Sequence, residues 1–143
     1  MRTYLPQALL PLFLACAPTP APVPPAPAPA PACEAGDAAM VRDVVYFGRN
    51  RPDGGTVTDA EWRGFLDSVV TPRFPAGLTV VSATGQWRGA SGAVERERAE
   101  VLTLLHDGSA EARAGVAEVV AEYKRRFRQE AVLRERVPAC ARF

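Results

Sequence analysis

The chain has 143 residues, with 17 Lys and Arg against 16 Asp and Glu and a formal net charge of +1, so no charge excess points to nucleic acid. A single histidine excludes a multi-histidine metal centre, and three cysteines leave one over after any pairing.

The first 32 residues read as an address. Arg2 is the only charge before Glu34, an apolar run covers 5–14, and Phe13-Leu14-Ala15-Cys16 follows. A short basic start, a short apolar core and a small residue before the cut describe an export signal. A cysteine directly after that small residue is the pattern of a bacterial lipoprotein, although Phe13 and Leu14 stand where the pattern prefers leucine and a small residue. A spanning helix is excluded, because it needs roughly 20 apolar residues and Pro6 and Pro11 interrupt this run. Ordinary secretory cleavage after Ala17 is the alternative, disfavoured by Pro18. Residues 1–15 are thus expected to be a signal peptide and Cys16 the lipidated N-terminus, placing the protein in the bacterial envelope, in the periplasm or at the cell surface.

Segment 16–32 is that cysteine followed by a tether. It holds eight of the 14 prolines, interleaved with alanine, and shows no hydrophobic pattern. At about 3.1 Å per residue in extended proline geometry it reaches roughly 50 Å. With Cys16 lipidated, Cys33 and Cys140 remain to form a disulfide, which export permits.

Residues 33–143 form one domain. A first strand is expected at 41–47, where Val44-Val45-Tyr46-Phe47 is apolar on both faces. Pro52-Asp53-Gly54-Gly55 marks a loop, and Thr58-Asp59-Ala60-Glu61 reads as a capping box. Trp62, Phe65, Leu66 and Val69 line one face of the helix that follows, ended by Pro72 and Pro75. A second strand is expected at 78–87, and a third includes 101–105, with 95–100 open between strand, bulge and loop. A long helix follows at about 110–128, with Val116, Val119, Val120, Tyr123 and Phe127 on one side. The last strand is expected at 131–137, stopped by Pro138.

The order β-α-β-β-α-β predicts a ferredoxin-like α+β sandwich: a four-stranded antiparallel sheet with two helices on one face. The apolar runs put strands one and three in the middle. Strand one then lies beside strand four, which brings Cys33 and Cys140 to the same end.

Several runs also resemble a known family: Val45-Tyr46-Phe47-Gly48-Arg49, Glu61-Trp62-Arg63-Gly64-Phe65-Leu66, Thr71-Pro72-Arg73-Phe74-Pro75-Ala76-Gly77-Leu78-Thr79-Val80 and Gly85-Gln86-Trp87-Arg88. With the segment 123–133 they are similar to the domain-of-unknown-function family 3574, over about residues 40–143. The resemblance implies a bacterial, often signal-bearing protein and no known activity.

Individual polar residues have structural explanations. His106 ends a strand, the serines show no nucleophile elbow, and Gly54-Gly55 lacks the lysine of a phosphate loop. No acid–base, nucleophile or metal-ligand constellation is legible, and no cofactor is implied. Gln86, Trp87 and Arg88 combine an amide, an indole and a guanidinium at a strand end, suited either to a small planar ligand or to packing on the hairpin. Tyr46 and His106 complete the candidate set, with Tyr123 and Gln129 as further members. Two helices leave one sheet face to be covered. The expected function is a lipid-anchored binding or interaction module. The alternative is a small ligand-binding or enzymatic domain using the open face, as a dimeric α+β barrel. The partners implied are the membrane, through the lipid, and a homodimer mate or envelope protein.

Intact-mass analysis of membrane fractions is expected to show acylated Cys16 as the mature N-terminus, and Cys16→Ser to release the protein or leave the signal uncut.

Overall fold

Alternating burial along the first strand fixes the layering of the domain. In β1, Ala38–Gly48, the side chains of Asp43, Val45 and Phe47 are buried while Val44 and Tyr46 on the other face are only partly covered. The structure, a computed structural model, describes residues 32–88 and 91–143. The signal 1–15, Cys16 and the tether up to residue 31 lie outside the described residues.

Helix α1, Asp59–Phe65, opens with the expected capping box: Thr58 Oγ1 accepts from Glu61 N at 3.2 Å, and a Glu61 carboxylate oxygen accepts from Thr58 N at 2.8 Å. It runs on into a π-helical turn, Leu66–Val70. Strands β2, Thr79–Arg88, and β3, Val94–His106, form a long hairpin, so 95–100 is strand. Helix α2, Ala110–Phe127, is capped by Ser109 at its start and by Arg128 in the left-handed region (φ 54°) at its end.

Strand β4, Leu133–Ala141, departs from expectation by starting later and running through Pro138. The sheet order is β2-β3-β1-β4, all pairs antiparallel, so β4 is an edge strand paired with β1 alone. An edge strand has a free side on which a missing N–H costs no ladder bond. Among the described residues no helix is long and apolar enough to cross a membrane.

The helices pack on the face that carries Val45, Phe47, Leu102 and Leu104. Trp62, Phe65, Val69 and Val70 meet them from α1 and its π turn, and Val116, Val119, Tyr123 and Phe127 from α2. The aromatic rings interlock at the centre, with Phe47 4.5 Å from Tyr123 and 5.4 Å from Trp62 between centroids. The buried Tyr123 hydroxyl donates to Gly48 O at 2.8 Å, and burial pushes this phenol up from its ordinary pKa.

Cys33 and Cys140 are disulfide-bonded, their Cα atoms 5.5 Å apart across 107 positions of sequence. The β1–β4 register sets Ala39 opposite Cys140, which brings the start and finish of the domain to one end. Closing so long a loop stabilises by up to ~4.7 kcal/mol on the chain-entropy view. Peptide mapping without reduction is expected to find this crosslink, and Cys140→Ser to lower the melting temperature by at least several degrees.

Candidate functional site

The face away from the helices carries a cleft at the end of the sheet where β1 finishes. The registers place the side chains in cross-sheet rows. Val81, Val101, Tyr46 and Leu133 form one row; Ala83, Ala99 and Gly48 form the next; then come Gly85 with Glu97, and Trp87 with Glu95. Small residues in the middle rows and large ones around them make a hollow of about 520 Å³. A Cβ at Gly48 would lie 2.5 Å from the Glu97 carboxylate, so that flexible side chain would have to move aside.

Two loops wall the cleft. Asn50, Arg51 and Pro52 follow β1, and 129–131 precede β4. They are joined by Gln129 Nε2, which donates to Asn50 O at 2.7 Å. The Asn50 amide donates to Glu97 at 3.1 Å. Arg51 reaches outward, donating to Glu61 at 2.6 Å, with its guanidinium 5.6 Å from the Phe127 ring centre. Arg51 Nε and Trp87 Nε1 are both buried donors with no partner among the described residues. Leaving such a group unsatisfied costs about 1–3 kcal/mol.

Of the residues singled out from sequence, Tyr46, Gln86, Trp87 and Gln129 meet at this cleft. Tyr46 also donates through its hydroxyl to Glu135 on β4, at 3.4 Å. Arg88 turns onto the hairpin instead, donating to Gly92 O at 2.6 Å. Tyr123 belongs to the core on the opposite face. His106 is buried at the other end of the sheet, beside a second hollow that Phe74 and Met40 also line.

His106 is part of a buried polar cluster that its own sequence context does not announce. Its Nδ1 accepts from the Gly108 amide at 3.0 Å, which puts the ring hydrogen on Nε2, 2.8 Å from Asp43. Both ring nitrogens are thereby engaged in hydrogen bonds within the fold. Asp43, fully buried, also accepts from Arg136 Nε at 3.0 and 3.1 Å and from Nη2 at 2.9 Å. Burial pushes this carboxyl up, but the hydrogen bonds from Arg136 and His106 and the charges of Arg136 and Arg134 outweigh it and hold the pKa low. The only forewarning in sequence was the β1–β4 pairing, which sets Asp43 opposite Arg136.

A second cluster centres on Arg49, 2% exposed. It donates to Val57 O at 2.7 Å, to Glu100 at 2.5 Å and to Asp59 at 2.7 Å, while Ser82 donates to the other Glu100 oxygen at 2.8 Å. These contacts tie the loop behind the cleft and the start of α1 to the sheet.

A family model described as Protein of unknown function (DUF3574) matches residues 42–143. The chain belongs to this family. The DUF3574 match covers both walls of the cleft. No curated protein matches. Among solved structures the chain is similar to a phage SAM lyase in complex with S-methyl-5'-thioadenosine, at 16% identity over 79% of this chain and 95% of that one, with a TM-score of 0.55. A phage SAM lyase in the apo state is similar at 18% identity, over 76% and 91%, with a TM-score of 0.51. CutA from Synechococcus elongatus follows at 11% identity, over 76% and 82%, with a TM-score of 0.48. At these identities the likeness is one of fold.

Acid should loosen the two buried and capping networks. Glu61, held down to about 2 by the Thr58 backbone and hydroxyl and by Arg51, and Asp43, also lowered, contribute stability that is complete above their ordinary values. Wild-type stability is therefore expected to fall as pH drops from about 4.5 towards 2. Asp43→Asn leaves Arg136 without its counter-charge, costs about 3 kcal/mol in denaturant titrations at neutral pH, and flattens the acid limb.

Proposed function

We propose that this protein is an exported, lipid-anchored bacterial binding domain of ferredoxin-like architecture that takes a small ligand into its open-face cleft. Cys16 holds it to a membrane, and the proline-rich segment carries the domain away from the surface. The observation that carries the reading is the cleft itself. Its volume suits a small molecule, it has aromatic walls in Trp87 and Tyr46, and the Trp87 indole N–H has no partner among the described residues. A ligand acceptor at Trp87 Nε1 offsets the cost of leaving that group unmatched. Gln129, whose Nε2 is held by the Asn50 carbonyl, offers its amide oxygen at the rim, while Gln86 contributes backbone to the wall because its side chain alternates to the other face.

A homodimer is the second reading, favoured by apolar side chains that form a broken strip on the same sheet face, interrupted by Glu135 and Arg42. On it Val81 is 57% exposed, Leu133 61% and Val137 39%. A second copy laid on this face covers the strip and roofs the cleft.

S-methyl-5'-thioadenosine, the molecule held by the phage enzyme of similar fold, pairs a flat ring with several acceptors and serves as a probe. Titrated calorimetrically into the full lipoprotein in detergent, it is expected to bind. Trp87→Ala should weaken binding at least tenfold, while Arg88→Ala, outside the cleft, changes it little. Failure of flat, acceptor-bearing molecules to bind, or binding indifferent to Trp87, overturns the cleft as a ligand site. Sedimentation of the same sample reads whether two domains associate.

A further inference from the structure

We propose that the ligand of the open-face cleft is an organic cation, an amidinium or substituted ammonium held between two carboxylates and an indole. This rests on the cleft being a ligand site, and adds the charge of what enters it. Trp87 stands directly opposite Glu95 across the β2–β3 pair, and Gly85 stands opposite Glu97. Side chains two apart on a strand share a face, so both carboxylates rise from the floor on which the indole stands.

Neither carboxylate is neutralised. Among the described residues Glu95 and Glu97 form no ion pair. Glu97 lies over the bare backbone of Gly48 and accepts the Asn50 amide, while Glu95 has no hydrogen-bond partner there. Arg51, the cation in the wall, is committed to Glu61 and to the Phe127 ring. The concave wall thus presents negative potential beside the electron-rich face of an aromatic ring. That combination attracts a flat organic cation, through charge-assisted hydrogen bonds and cation–π contact, and repels an anion. A bare metal ion fits poorly: among the described residues no group of three or more His, Cys, Asp or Glu converges to hold one.

Benzamidinium, benzamide and benzoate share one shape and differ in charge. Each is titrated into the full lipoprotein in detergent micelles, followed by the NMR signal of the Trp87 indole N–H, with S-methyl-5'-thioadenosine as a neutral check on the cleft. Benzamidinium is expected to bind about tenfold tighter than benzamide, with benzoate weakest, as one ion pair plus one cation–π contact allow. Glu95→Gln and Glu97→Gln should each reduce that preference and together abolish it. Glu95→Gln is the cleaner variant, because that side chain supports no contact of the fold. Equal binding of benzamide and benzamidinium, or a preference surviving both substitutions, overturns the cation and leaves the cleft standing. Absence of any shift at Trp87 with all four molecules overturns the cleft reading as well.

Discussion

The buried guanidinium of Arg49 is the contact on which the rest of the arrangement depends. It sits at the end of β1, where a charged side chain without partners would be untenable. Its donors are instead distributed to Glu100 on β3, to Asp59 at the start of α1 and to the Val57 carbonyl. Three segments far apart in sequence are therefore clamped at one point. The loop between Arg49 and Val57 has its two ends fixed on the helix side of the sheet. Its middle, Asn50 to Pro52, is carried over to the other side, where it walls the cleft.

The sheet mixes charged and apolar residues on both of its faces. Charged residues lie under the helices: Asp43 with Arg136 and His106 at one end, Arg49 with Glu100 at the other. The outer face carries Val81, Val101, Tyr46 and Leu133 in a row. Buried charge is tolerable only where every partner is in place, so both ends of the core demand one geometry. A scaffold held rigid from beneath can present small residues at Gly85, Ala99 and Gly48 and leave the space above them to the cleft and the Glu97 carboxylate.

Elements with strong local grammar were legible in the sequence. The Thr58–Glu61 box, the i, i+3, i+4, i+7 stripe from Trp62 and the long amphipathic stretch from Ala110 each announce a helix. Val44 to Phe47 announces a strand apolar on both faces. Boundaries failed where tertiary context decided. Residues 95–100, rich in alternating charge, hold as strand because β2 pairs with them along the whole hairpin. Pro138 reads as a terminator yet sits within β4, because only the sheet order reveals that this strand has a free edge.

The sequence by itself determined the α+β composition and the family, since these rest on local patterns, and it offered Cys33 with Cys140 as the pair left if Cys16 is taken by a lipid, a bond the structure contains. Only the tertiary structure decided which polar residues meet. Tyr46, Trp87 and Gln129 come from three separate segments, and nothing in their spacing shows that strand register and two loops bring them to one cleft. His106 shows the same limit from the other side. A lone histidine at a strand end looks available to a ligand, but the turn at Gly108 and the buried Asp43 occupy both its nitrogens. Periodicity reports which face a side chain takes within its own element. What stands across from it depends on how the strands register, and that is set by the packed whole.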